Sequence, residues 1–408
     1  APGRALLLAP AVVSAVVAQW FIDVGLRLAG WSLLAAAVGA FLAAMGKTTS
    51  SWSLRQLVQP HRVPRVAAWV MVGATAVALG NAAVFDISRP HGVFWFLYAG
   101  SVIVGLTAAV VADVERSRQR GAASSRMCTA PAISSRGLLL FVVAVSALAV
   151  SFRFYDLTTL PEGFWFDEAD HVLIAQQIND DGLRPLWVGG TFAAPGHHAY
   201  LIAGVMKLGL GPVEAARGLS AVFGLIAMLG ALVVGRELWG RVGAVAALAL
   251  VGLSRWPVTV SRVGMFNVVT PACLLLGLGL TLWGVRQDRL TLKMSGGMAL
   301  GFGLGFHSSM WPGLLGVVAL LFFATFSNRS ILRSLWVPLV GVVVVAAPIA
   351  GVAVRDFDLY TERQTEVSLF SSGSENILGD LGANSRAVLG MFTVEGDRNG
   401  RHNIPGAV

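Results

Sequence analysis

The stretch Gly163–Ile178, GFWFDEADHVLIAQQI, sets Asp167, Glu168, Asp170 and His171 within five residues, directly after an aromatic run. Its spacing predicts a helix over 166–178, on which Asp167, Asp170 and His171 share a face at i, i+3 and i+4. Val172, Ala175 and Ile178 fall on another face and are expected to bury against the membrane surface. Acidic residues in a first turn suit the positive end of a helix, so a plain N-terminal cap accounts for part of the pattern. The chemical reading is that a carboxylate here serves as a base or a metal ligand. Clustered carboxylates raise one another's affinity for protons, which suits acid/base work.

The surroundings of this stretch are apolar. Of 408 residues, 55% are hydrophobic and 13% charged, with mean hydropathy +0.71. Soluble domains carry about a quarter charged residues, so lipid is the expected solvent. Apolar runs long enough to span a bilayer lie near 5–22, 28–46, 66–85, 93–112, 138–154, 215–235, 243–260, 268–285, 295–311, 313–326 and 335–354. The expected fold is therefore an all-α multi-pass membrane protein with about eleven transmembrane helices.

The loops between these runs sort by charge. Lys47, Arg55, Arg62 and Arg65 share one; Arg116, Arg118, Arg120, Arg126 and Arg136 share another. Arg236 with Arg241, Arg286 with Arg289 and Lys293, and Arg329 with Arg333 mark three more. Placing all five in the cytoplasm lets the spans alternate without conflict. The formal charge of +8 is thus explained by topology, with no nucleic-acid partner implied. Cys128 and Cys273 make no disulfide framework, and Cys273 reads as packing.

This topology divides the chain into a four-helix front portion (1–112), a basic cytoplasmic linker (113–137) and a seven-helix module (138–354). Two long external segments result, 155–214 within the module and 355–408 after it, with amphipathic helices expected in the first. Loops of that length are usually functional. The chain begins without Met and ends in a polar stretch, so a longer parent protein is expected.

A short acidic Asp-Glu pair after the first helix of a seven-helix module resembles the GT-C membrane glycosyltransferases. The closest likeness is to the protein O-mannosyltransferase and aminoarabinose-transferase superfamily, in its bacterial branch. The likeness continues in order through the segment from Ala194, APGHHAYLIAGVMKLGLGPVEAARGLS, which resembles that family's Pro-Pro-Leu segment and its Arg-x-x-Ser helix. LSRWPVTVSRVGMFN from Leu253 resembles the stretch with Ser-Arg after a Pro, and GDRNGRHNIPG from Gly396 a later external loop. It covers roughly 138–408.

The resemblance implies an enzyme of the bacterial inner membrane that moves sugar from a polyprenyl-phosphate donor to an acceptor hydroxyl at the extracytoplasmic face. Asp167 is then the catalytic base, and Glu168 its partner toward acceptor, donor phosphate or metal. The leaving lipid phosphate needs positive charge. Arg255 and Arg262 lie at the outer end of a predicted span, where an arginine at bilayer depth costs on the order of 2.5–3.5 kcal/mol. Arg217 matches Arg-x-x-Ser, and a helix-end anchor is its simpler role. Arg401 and His402 are expected to close over the sugar phosphate, or else to be an ordinary exposed pair.

Three departures bear on the acceptor rather than on the module. Pro195 and Gly196 stand where relatives have a double Pro, with His197 and His198 displaced. Asn267 stands near where an Asp often follows Ser-Arg, and His307 sits in GFHSSMWPG, where relatives are polar or aromatic. A specific aminoarabinose transferase is disfavoured. No cofactor is required; a divalent cation on Asp167, Asp170, His171 and His197 or His198 is an option. Substrate-binding residues are thus expected at Asp170, His171, Arg217, Arg255, Arg262, Asn267, His307, Arg401 and His402. The glycines of GGMALGFGLGF predict close helix packing. The competing readings are a transporter or flippase, whose ionisable residues belong at mid-membrane, and a non-catalytic assembly protein that keeps the fold.

Overall fold

The computed structural model describes residues 32, 33, 36, 63–85, 92–119, 136–188, 194–327, 332–366 and 376–390. The span expected at 5–22, nearly all of that at 28–46, linker residues 120–135 with Cys128, and the loop from Gly396 lie outside these residues. The described chain is helical, with one two-residue antiparallel ladder. In the front portion α1 runs Arg65–Val84 and α2 Gly92–Gln119; α3, Arg136–Phe154, opens the module. The segment 155–214 then holds α4 (Phe166–Asp180), β1 (Trp187–Val188) paired with β2 (Ala194–Pro195), and α5 (His197–Met206). After these come α6 (Pro212–Leu253), α7 (Arg255–Val260), α8 (Val269–Gln287), α9 (Leu290–Gly303), α10 (Met310–Ser327) and α11 (Leu332–Arg355). Two outlying helices close the described chain, α12 (Phe357–Glu366) and α13 (Ile377–Gly390).

Six described helices are long and apolar enough to cross a membrane: α1, α2, α3, α6, α8 and α11. The fold is an all-α multi-pass membrane fold. The longest, α6, is two antiparallel arms, because Gly240 takes φ 72°, a conformation that only glycine adopts cheaply. The arms touch at Gly235 and Gly243, and Met228 meets Leu248 and Ala249 further along. This hairpin is the pair of spans expected at 215–235 and 243–260. The second arm ends earlier, at Leu253, because the ring of Pro257 would clash with the carbonyl four residues before it.

The helix expected at 295–311 instead runs Leu290–Gly303. Lys293, expected in the basic loop, lies in its first turn. It is 2% exposed because its ammonium meets Asp288 at 2.8 Å, so the charge is carried inside the bundle. Similarly, α2 continues to Gln119, so the first residues of the expected linker are helical.

Small residues set the order of the bundle. Gly230 admits the α8 backbone beside α6, and Gly277 and Gly296 bring α8 against α9. A methyl group on Gly297 or Gly301 would overlap carbonyls of Pro338 or Val342 on α11. Gly351 of α11 lies against Ala82 of α1. Where lipid is as apolar as leucine, close backbone approach is the main source of helix association, and the expected role of the GGMALGFGLGF glycines holds. The front helices dock on the module through Met71, Ala109, Met294 and Val337.

Charged loops gather at two ends. At one, Asp113 of α2 accepts the N–H groups of Leu290 and Thr291, both at 2.9 Å. Arg116 lies 3.7 Å from Asp288, and Arg286 meets Glu237 at 3.1 Å. This is the basic-loop end. The segment 155–163, α4, α5 and α7 occupy the other.

Candidate active site

The helix α4 forms as the spacing predicts, but its apolar face turns inward. Val172, Ala175 and Ile178 pack on Ala199, Ile202 and Ala203 of α5 and on Ala215 and Ala216 of α6. The expected burial against a membrane surface is therefore replaced by burial on two neighbouring helices. Glu168 caps the helix by accepting the Trp165 N–H at 3.1 Å.

Glu168 is also the centre of a buried lock. Both it and Arg217 are fully buried, and the guanidinium reaches the carboxylate at 3.2 and 3.3 Å. The Gly264 N–H donates to Glu168 as well. Arg217 then bonds the carbonyls of Leu157, Thr158, Pro161 and Gly163. One side chain thus ties the 157–163 segment, the first turn of α4 and the start of α6 into one body. Glu168 meets only protein groups among the described residues, and Asp167, 7% exposed, is the residue beside it. Asp170 lies half-buried on the same helix.

Arg262, just past α7, repeats the device. It donates to the carbonyls of Phe152 at 2.6 Å, Tyr155 at 2.7 Å, Leu160 at 3.0 Å and Asp156 at 3.4 Å. Desolvation and then the neighbouring Arg217 lower its pKa, while the Asp156 carboxylate raises it. A third arginine joins them. Arg153, at the end of α3, is fully buried and donates to Ala149, Val251 and Gly252 carbonyls. Sequence reading passed over Arg153, although an arginine in an otherwise apolar span was a visible signal. Arg255 opens α7 and is half-buried.

Beside these arginines runs an apolar groove of about 480 Å³, between the arms of α6 and the segment 256–275. Gly224, Val251, Trp256, Val263 and Met265 are among its walls, and Asn267 is its polar member. Asn267 Oδ1 has no hydrogen-bond partner among the described residues. The groove reaches the lock directly: Val263 and Met265 flank Gly264, which holds Glu168, and Gly224 packs against Arg153.

The histidines converge on a ring stack rather than on a cation site. His171 and His198 meet edge to face at 4.8 Å between centroids, with Phe266 at 5.0 Å from His171. His307, in the turn after α9, stacks on Phe266 at 5.2 Å and shares a 2.8 Å hydrogen bond with Ser309. His197 turns away toward Phe302 and Phe306. Burial pushes His171 down to about 4 and His198 well below the usual range, with His171 lowering it further. Both rings are therefore neutral at ordinary pH. Among the described residues no three His, Cys, Asp or Glu side chains gather as a metal set, so the cation arrangement does not assemble there. Arg401 and His402 lie outside the described residues.

Residues 194–354 match the family model described as dolichyl-phosphate-mannose-protein mannosyltransferase. Over this stretch the chain is similar to that family of membrane glycosyltransferases, of the GT-C kind. The comparisons with curated proteins and with solved structures gave no match. The matched stretch includes Arg217, Arg255, Arg262, Asn267 and His307 but begins after α4. Asp167 and Glu168 lie outside the matched stretch.

Proposed function

We propose that the protein transfers a sugar from a polyprenyl-phosphate donor to an acceptor hydroxyl at the extracytoplasmic face, with Asp167 as general base. A hydroxyl is a poor nucleophile until a positioned carboxylate takes its proton. In the step, the acceptor O–H proton passes to Asp167 as the new C–O bond forms at the anomeric carbon. The bond from that carbon to the phosphate oxygen breaks, and polyprenyl phosphate leaves with the electron pair.

The observation that carries this reading is the lock between Glu168 and Arg217. It fixes the first turn of α4, and with it Asp167, against the loop that walls the apolar groove. Glu168 is accordingly a positioning residue, since its oxygens are engaged by Arg217, Trp165 and Gly264. The groove suits the apolar tail of a lipid donor. Arg153, Arg217 and Arg262 gather positive charge near its end, where a leaving phosphate gains most. Asn267 Oδ1, without a partner, is a site for a hydroxyl donor. The family description adds mannose to the donors worth assaying.

The test is Asp167→Asn, assayed in membranes with polyprenyl-phosphate sugars. A general base contributes about 10²–10⁴-fold, so transfer should fall by that factor with unchanged expression and thermal unfolding. Unchanged transfer removes Asp167 from the mechanism.

A further inference from the structure

A second cavity, of about 500 Å³, lies where the front helices meet the module. Trp95 and Tyr98 of α2, Tyr200 of α5 and Phe302 of α9 supply aromatic walls, and Arg184, from the segment after α4, supplies a cation. The rings hold one another at steep angles: Trp95 meets Tyr200 at 5.3 Å and 64°, and Tyr98 at 6.4 Å and 68°. Such packing fixes faces and edges in a corner.

Two polar tips in this corner are unmet. Trp95 Nε1 and the Tyr200 hydroxyl are closed off from solvent and have no hydrogen-bond partner among the described residues. The Tyr98 hydroxyl, by contrast, donates to the Val345 carbonyl at 3.0 Å. Tryptophan and tyrosine of an interfacial belt keep their polar tips hydrated, and a buried donor without an acceptor is unfavourable. Arg184 uses Nη1 for both of its carbonyl bonds, to Ile178 at 3.1 Å and Leu183 at 2.8 Å. Its Nη2 and Nε remain for another acceptor.

A ligand for such a corner needs apolar faces, hydroxyl groups at its edges and an anionic substituent toward Arg184. A prenyl chain has no hydroxyls, and a bare phosphate has no apolar face. A pyranose ring has both, its axial C–H faces lying on aromatic rings while its hydroxyls meet Trp95 and Tyr200. We infer that this cavity is a saccharide subsite for an acidic sugar of the acceptor, so that the acceptor is a glycan. This rests on the transferase reading above.

The placement says which sugar it holds. His197 lines the cavity, while the adjacent His198 faces His171 on α4. The helix α5 therefore stands between the cavity and the acidic turn. The bound sugar is a unit further along the acceptor than the one that is glycosylated, and chains of several sugars should be better acceptors than single ones.

The probe is saturation-transfer NMR on the full chain in lipid nanodiscs, with glucuronate and glucose. Glucuronate should receive saturation on its ring protons more strongly than glucose. Tyr200→Phe, which removes one oxygen, and Trp95→Phe should each weaken the signal several-fold. Arg184→Gln should abolish the preference for glucuronate. Absence of signal from both sugars in protein that transfers sugar overturns the inference, and so does a signal that Tyr200→Phe and Trp95→Phe leave unchanged. Asp167→Asn separates the two readings. Bound sugar with transfer lost supports both, whereas bound sugar with transfer retained keeps the subsite and removes the assigned base.

Discussion

At the basic-loop end, Asp113, Arg116, Asp288 and Lys293 alternate in sign, and each cation lies within ion-pair distance of a carboxylate on a neighbouring turn or helix. At the opposite end, Arg153 and Arg262 are held by backbone carbonyls, with the Asp156 carboxylate acting on Arg262 from further off, while Arg217 pairs directly with Glu168. A carbonyl satisfies a guanidinium N–H and fixes its position, but it carries no net charge to cancel the cation. The first arrangement fastens the front helices to the module and leaves little field. The second fastens a loop and leaves more of its positive charge uncancelled, as the proposed site for a departing phosphate would require.

Removing the pair that the two ends share in kind should have the largest effect. Arg217→Ala leaves Glu168 buried without its cation, which costs about 3–5 kcal/mol. Thermal unfolding in detergent should shift down sharply. Arg217→Lys should recover only part, because an ammonium cannot bridge a carboxylate and four carbonyls at once. A small shift for Arg217→Ala would break the comparison by showing that the lock is not what holds the outer segment.

Acid should strike the same end next. His171, pushed down to about 4, binds fewer protons folded than unfolded, where it titrates near 6.5. Stability from this group is complete above about pH 6.5 and is lost as pH falls toward 4, by about 3 kcal/mol. His198 acts in the same direction. An unfolding series over that range should show an acid limb, and His198→Phe should flatten it, since its neighbours Phe266 and Phe306 are already aromatic. Lys293→Met, at the basic-loop end, should leave the limb in place. A limb unchanged by His198→Phe and removed by Lys293→Met would reverse the assignment.

What sequence showed and what it hid follow from range. Apolar runs and charge-sorted loops are local patterns, and α1, α2, α3, α6, α8, α10 and α11 lie close to where those patterns place them, while α9 starts and ends several residues earlier. The helix α4 and its acidic turn were legible for the same reason. The pairing of Glu168 with Arg217, 49 residues apart, was not. Nor was the convergence of His171, His198 and His307 on Phe266, because three separate segments meet there. Lys293 misled because a charge in an apolar run argues for a loop until its partner is seen, and Asp288 is that partner. Arg153 is the converse case, since a lone arginine late in an apolar span marks a buried contact.

The smallest effect tests the fastening itself. Asp113 accepts two N–H groups at the start of α9, donors that a helix cannot satisfy internally. Losing a capping acceptor costs about 0.5–2 kcal/mol, so Asp113→Ala should lower the unfolding temperature modestly. Transfer per folded molecule should stay at the wild-type level, because the change lies at the end of the bundle away from Asp167. Arg262→Ala sharpens the point from the other end. Its side chain is partly exposed, so its stability cost should be similarly modest. It removes positive charge beside the groove, and transfer should fall by more than the loss of folded protein explains. If the two variants instead lose activity in step with stability, the ends do not differ in role, and carbonyl-held arginines are fasteners like the rest.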